Sequence, residues 1–297
     1  MTHGASEPPP LVVIVGPTAS GKTELAVRWA EAHNGEIVSA DSVQVYRHFD
    51  IGTGKPSADE REQVAHHLLD VAEPLENWDA ARWADEATRA IDAIASRGRV
   101  PIVCGGTFLW VRALIYGLAE APRGDEELRA RHRAFVEAEG RAALHARLAQ
   151  VDPPSAARLA PNDFVRVSRA LEVFELSGTP LSQLQAAHGF RAPRMEARLV
   201  GVQRERSEQD ELIARRVHAM LEAGWVEEVG QLMARGLGEA RAMQSVGYRQ
   251  IFEALSAGAA PDEAAIVRAT RVFARRQRTW LRDQPVEWLP PEATKLP

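Results

Sequence analysis

The chain has 297 residues, 45% of them hydrophobic, with a net charge of −5 and a single cysteine, Cys104. That length holds one large domain or one and a half, and no apolar run nears the roughly 20 residues needed to cross a bilayer. One cysteine excludes an internal disulfide and suits a reducing, cytoplasmic location, and the acidic balance does not announce a nucleic-acid binder.

Met1 to Pro10 is polar and proline-rich, without a charged-then-apolar leader pattern, and reads as a disordered lead-in. Leu11 to Val15 is an unbroken, mostly β-branched apolar run that predicts a buried strand. Next come Gly16, Pro17, Thr18, Ala19, Ser20, Gly21, Lys22 and Thr23, which fit G-x-x-x-x-G-K-[S/T], the phosphate-cradling loop. Glu24 to Ala30 supplies helix formers with an apolar face. A strand, a glycine turn and a helix start in that order aim free N–H groups and the positive helix end at one place. Lys22 adds a point charge for the terminal phosphates and Thr23 a hydroxyl for Mg²⁺. The loop says polyphosphate and leaves open which one.

Glu36 to Ser42 predicts a second strand ending in Asp41, placed beside the phosphate loop because ligands gather at the carboxyl ends of parallel strands. Gln44 to Arg47 and Gly52 to Pro56 read as loop. His66 and His67 are adjacent, not at i, i+4 spacing, which favours a structural role over metal ligation. Asn77 or Asp79 caps a helix to about Ser96, with Trp83, Ala87 and Ile91 or Ile94 inward. Val100 to Cys104 predicts a third strand, in which Cys104 packs as an apolar group. Gly105 and Gly106 allow close backbone approach, and Thr107 is either placed to touch a phosphate or caps the helix Leu109 to Leu114. No carboxylate pair ends this strand and no Asn-Lys-x-Asp motif is present, which disfavours an ATPase motor or GTPase switch.

From Glu126 to about His188 the pattern is all helix: Glu126 to Glu137, Gly140 to Gln150, and Phe164 to Phe174 capped by Asp163 and ended by Ser177-Gly178. Ala197 to Val202 returns as a strand. Ser207 is expected to cap a helix Glu208 to Ala223 in which Arg216 precedes apolar positions. Gln244 to Arg249 reads as a loop, Asp262 to Arg282 as a basic helix and Val286 to Leu289 as a last strand. Between Arg241 and Arg282 eight arginines face three acidic residues, so a basic face on an acidic body is possible; a solvated arginine-rich helix is the alternative. The expected fold is α/β: a P-loop parallel sheet flanked by helices over 11–120 and 196–297, with an all-helical insertion domain over 121–195.

Several phrases together carry a resemblance. They are Gly16 to Thr23, Asp41 to Tyr46, Asp50 to Pro56, Val103 to Thr107, and Pro161-Asn162-Asp163 with Arg166. Arg169 to Val173, Ser245 to Gln250, and Arg275-Arg276-Gln277 with Thr279-Trp280 complete the set. From about Leu11 to Trp288 the chain resembles the bacterial tRNA dimethylallyltransferases, also called tRNA isopentenyltransferases.

The resemblance implies transfer of the prenyl group of dimethylallyl diphosphate to N6 of adenosine-37 in tRNA, with the phosphate loop holding the prenyl diphosphate rather than ATP. It implies that Lys22, Thr107 and Arg216 contact the diphosphate, that Thr23 serves Mg²⁺, and that Asp41 is the base on the acceptor amine. It implies tRNA contacts at Asp41, Ser42, Val43 and Gln44, at Thr107 and Arg129, at Val165, Arg166, Val167, Ser168 and Arg169, and at Gln244, Ser245, Val246, Gly247, Tyr248 and Arg249. A monomer with no membrane partner is expected. Prenylation of a free adenine nucleotide, a small-molecule kinase and a plain RNA-binding module are the competing readings; the helical insertion with its arginines speaks against the first.

Overall fold

The computed structural model describes residues 10–294; apart from Pro10, the expected lead-in lies outside them. The described residues up to Ile115 and from Arg194 onward form one compact unit, and Tyr116–Pro193 forms another.

The first unit is built on six parallel strands: β1 (Leu11–Val15), β2 (Gly35–Ser39), β3 (His66–His67), β4 (Val100–Gly105), β5 (Ala197–Val202) and β6 (Val286–Leu289), in the order β3-β2-β4-β1-β5-β6. All five residues of β1 are buried, as a central strand covered on both faces requires. On one face β1, β2, β4 and β5 pack against α1 (Lys22–Ala32), whose Leu25, Ala26, Trp29 and Ala30 recur at helical spacing. Trp29 is fully buried there. Two helices lie between β2 and β4: the short α2 (Ala58–Gln63), started by a Ser57–Glu60 capping box, and the longer α3 (Ala80–Ser96), capped by Asp79. Trp83 of α3 is buried, donates its ring N–H to Ser39 O at 3.0 Å, and stacks on Trp110 of α4 (Phe108–Tyr116). Those tryptophans are core.

The register decides what the strand ends bring together. Val15 pairs with Gly105 and Ser39 with Cys104, so the turns after β1, β4 and β2 are successive neighbours. The strand at Val100 is the fourth, because His66–His67 forms a short edge strand that the sequence does not mark. The second strand stops at Ser39, two residues before Asp41, and β4 lies between it and β1. His67 ties that edge to the sheet, its Nε2 2.6 Å from Glu36 Oε2.

The second unit is helical: α5 (Glu126–Glu139), α6 (Arg141–Val151), α7 (Pro153–Arg158), α8 (Phe164–Ser177) and α9 (Leu181–His188). Leu144, Leu148, Ala156, Val167, Ala170 and Leu171 form its core. Asp163 caps α8, and Gly178 ends it at φ 69°, the left-handed conformation usual at a helix C-terminus. Beside the core lies a buried carboxylate. Glu172, fully buried, accepts the Asp125 N–H at 2.6 Å and holds the guanidinium groups of Arg129 and Arg169.

The return to the first unit continues through α10 (Arg206–Glu222), α11 (Trp225–Ala234), α12 (Tyr248–Ser256) and α13 (Glu263–Leu281). Here the structure departs from expectation twice. Ser207 does not cap α10: it lies inside the first turn, and Glu205 holds the cap position without a side-chain hydrogen bond. The segment Gln244 to Arg249 is not all loop. A 3₁₀ turn covers Arg241–Gln244, and α12 starts at Tyr248, where Gln250 accepts the Gly247 N–H at 2.7 Å. No helix among the described residues is long and apolar enough to cross a membrane.

Burial would hold the Glu172 carboxyl neutral, but hydrogen bonds and charge from Arg169 and Arg129 outweigh this and keep it below the usual value of 4.5. Its contribution to stability is therefore complete above that value and is lost as pH falls through the lower folded one. Glu172→Ala, which leaves two cations around an empty site, is expected to cost about 3–5 kcal/mol. Hydrogen exchange in α5 and α8 measures the loss, and the acid-side decline of wild type should flatten in the variant.

Candidate diphosphate and acceptor site

A cavity of about 480 Å³ opens at the carboxyl ends of β1, β2 and β4. The phosphate loop forms one wall. Gly21 takes φ 92° and Ala19 φ 58°, so the chain turns sharply into α1; at Gly21 a side chain would be strained. Helix α1 begins without a side-chain cap, leaving its first-turn N–H groups to whatever enters the loop. Thr18, Lys22 and Thr23 line the cavity, whereas Pro17 and Ser20 line a separate cavity on the other side of the loop.

Two cations meet in this cavity. Lys22 projects from the loop, and Arg216 comes from α10, one turn from Ile213 and Met220 on the same cavity-facing stripe. Among the described residues neither forms an ion pair with a carboxylate; Lys22 Nζ reaches only the Pro17 carbonyl at 3.4 Å. Burial pulls the Lys22 ammonium below its usual range, and the Arg216 charge works in the same direction. Burial likewise lowers Arg216. Lys55 shows the alternative. Its side chain is 2% exposed, yet it contacts Asp50 at 2.7 Å and Asp70 at 2.5 Å, and so serves to fold the loop after β2. Lys22 and Arg216 are arranged for an anion that none of the described residues supplies.

Asp41 stands on the neighbouring wall. Its Oδ1 accepts the N–H groups of Val43 at 2.9 Å and Gln44 at 3.3 Å, and its Oδ2 has no partner among the described residues. Thr107 does not cap α4 with its side chain. Its hydroxyl accepts the Ser42 N–H at 3.0 Å and lies 3.3 Å from the Ser42 hydroxyl, which locks the turn after β4 to the Asp41 segment. Cys104, its thiol pushed up to about 12 by burial, is neutral and inert on the cavity floor.

Ser42, Val43, Gln44, Gln244, Ser245 and Val246 also line the cavity. The Gln44 amide is committed to the carbonyls of Thr53 and Gly54, both at 3.2 Å. The three residues after Val246 sit differently. Gly247, at φ 90°, faces Trp225, and a Cβ there would lie 1.9 Å from the ring. Tyr248 is fully buried and donates to Glu228, which also accepts the N–H groups of Asp50 and Ile51. Arg249 is exposed. In the second unit Arg166 and Val165 are exposed, at 73% for the Arg166 side chain and 75% for Val165. Val167 and Ser168 are buried, and the Ser168 hydroxyl is 2.8 Å from His132 Nδ1. Those two shape α8 rather than its surface.

Sequence reasoning misses three groups that anchor the phosphate loop. Gln209, Gln277 and Arg204 bond to the backbone of Thr18 and Ser20. Gln277 falls within a recognised phrase; nothing local marks the other two.

A family model described as IPP transferase matches residues 44–284. A tRNA dimethylallyltransferase of Sorangium cellulosum (strain So ce56) is 63% identical over 284 residues, covering 95% of this chain and 90% of its own length. Among solved structures, the full-length tRNA isopentenylpyrophosphate transferase of Bacillus halodurans is 38% identical, with a TM-score of 0.68 over 95% of this chain and 90% of that one. A eukaryotic dimethylallyltransferase acting on tRNA is 25% identical, with a TM-score of 0.76 over 95% and 73%.

Removing one unpaired cation should separate stability from binding. Arg216→Met is expected to raise the melting temperature of the ligand-free protein by about 2–4 °C. The same change should weaken inorganic pyrophosphate about 10–100-fold, the worth of a charge-assisted contact. Thermal shift with and without Mg²⁺-pyrophosphate reads both effects.

Proposed function

The chain belongs to the IPP transferase family, and from that premise we propose that it moves the dimethylallyl group of dimethylallyl diphosphate onto N6 of adenosine-37 in tRNA, beside the anticodon. The observation that carries this reading is the pairing, in one cavity, of two carboxylate-free cations with a carboxylate that keeps one oxygen unengaged.

The chemistry follows from that pairing. N6 attacks the allylic C1, the C1–O bond breaks, and the electron pair leaves with the diphosphate. Negative charge grows on that leaving group, where Lys22, Arg216 and the uncapped start of α1 would receive it. The Thr107 hydroxyl lines the same cavity. The acceptor amine is a poor nucleophile because its lone pair is delocalised into the ring. Asp41 Oδ2 would take its proton as the N–C bond forms. No hydrolytic carboxylate pair is needed, since no water is activated.

Magnesium fits the site: the Thr23 hydroxyl lines the cavity, and Mg²⁺ binds few protein groups alongside phosphate oxygens and water. When bound it would neutralise diphosphate charge. No cluster of three His, Cys, Asp or Glu suited to a metal occurs among the described residues, consistent with a metal that arrives with its phosphate.

The RNA reading places the flipped base in the cavity, at a cost of a few kcal/mol for unstacking. Ser42, Val43 and the Gln244 to Val246 segment line its mouth, and Arg129, Arg166 and Arg169 would grip phosphates. The protein would act in the cytoplasm, where its tRNA is.

Mass analysis of unmodified tRNA after incubation with the protein, Mg²⁺ and dimethylallyl diphosphate tests the proposal. The expected result is one dimethylallyl group on adenosine-37; prenylated AMP in a parallel reaction, with tRNA untouched, would shift the acceptor to a free nucleotide. Asp41→Asn should keep tRNA affinity and lower the single-turnover rate at least about tenfold, as loss of a general base does. Arg166→Ala should reduce the salt dependence of tRNA binding by about 0.7–0.9 in log–log slope, the share of a single phosphate.

A further inference from the structure

Thr18, at the front of the phosphate loop, has both backbone groups taken by glutamines from far along the chain. Its N–H donates to Gln277 Oε1 at 2.8 Å, and its carbonyl accepts from Gln209 Nε2 at 2.8 Å. Gln277 then donates from Nε2 to the Gly106 carbonyl at 3.0 Å. Arg278 donates to Gln209 Oε1. The result is a continuous hydrogen-bonded chain from α13 through α10 and the phosphate loop to the turn that carries Thr107. Gln277 and Gln209 are 6% and 2% exposed.

The geometry points to Gln277 as a positioning residue for the prenyl diphosphate: it fixes the span between the Lys22 loop and the Thr107 turn, while Gln209 holds the opposite side of Thr18. This rests on the function proposed above. The sheet fixes only the roots of the two turns, through the pairing of Val15 with Gly105. Among the backbone hydrogen bonds of the described residues none joins their tips, and the amide of Gln277 closes that gap. An amide can accept from an N–H and donate to a carbonyl at once; an apolar side chain of the same size does neither. The fit is close, since a Cβ on Gly106 would lie 2.5 Å from Gln277 Nε2. The loop needs such an anchor because Ala19 adopts a left-handed conformation that a residue with a side chain rarely holds unaided. Donors fixed before the diphosphate arrives need no rearrangement when charge develops on it.

The test uses the full-length protein and three variants: Gln277→Leu, Gln209→Leu and Gln277→Glu. The readouts are the Kd of inorganic pyrophosphate with Mg²⁺, KM and kcat for dimethylallyl diphosphate, and the Kd of tRNA. Both leucine variants are expected to weaken pyrophosphate at least about tenfold and to raise the donor KM in step, with tRNA affinity within about twofold. Gln277→Glu keeps the acceptor for Thr18 but turns a carboxylate oxygen toward the Gly106 carbonyl and adds a negative charge to the cavity wall, so it should weaken pyrophosphate at least as much as Gln277→Leu. Lower melting temperatures with unchanged pyrophosphate affinity would overturn the proposal, because an ordinary core residue behaves that way. Should Gln277→Leu not fold, Gln209→Leu decides on the same criterion. A wild-type protein that binds pyrophosphate but leaves tRNA unprenylated would remove the transferase reading and leave the positioning role standing.

Discussion

Lys22 and Arg216 repel each other, and among the described residues no carboxylate pairs with either. Everything about the cavity follows from that choice. Elsewhere the protein pairs its enclosed cations: Lys55 with Asp50 and Asp70, Arg129 and Arg169 with Glu172. In the cavity no described carboxylate pairs with Lys22 or Arg216, so the free protein stores unfavourable electrostatic energy that a bound polyanion would release. The sheet makes this tolerable. The root of the Lys22 loop is fixed by the pairing of Val15 with Gly105, and Arg216 is carried by α10, so each charge sits on an element of its own.

Much of this is legible in the chain because it is local. An apolar run, a glycine turn with a lysine and an amphipathic helix succeed one another within about twenty residues, and β1, the loop and α1 form there. A cap with the right side chain at the right offset is equally legible at Asp163, and the choice between Asn77 and Asp79 falls to Asp79. Ser207 misleads because a serine a position or two from the cap has the same composition; only the path of the chain decides which residue stands there. Sequence places Asp41 near the phosphate loop but not the strand that separates them, since strand order is not a local property. Gln209 and Gln277 act across 191 and 259 residues, a separation at which no periodicity or spacing carries information.

Burial divides the residues singled out for RNA into two sorts. Ser42, Val43 and Val246 line the cavity, and Val165 and Arg166 stand in solvent. Tyr248, Val167 and Ser168 are interior and hold their neighbours in place. Arg129 and Arg169 are intermediate. Glu172 fixes their guanidinium planes, which lowers the entropy lost when a phosphate docks and also tempers their charge. A phrase in the sequence can therefore combine side chains open to a ligand with side chains that only hold their neighbours.

The bond between Thr18 and Gln277 also orders events during synthesis. The glycine loop leaves the ribosome 259 residues ahead of its anchor, so at about 5–20 residues per second the two are separated by tens of seconds. Throughout that interval the nascent chain carries the signature of an anion trap without its finished shape. Completion of the pocket therefore waits for the emergence of α13.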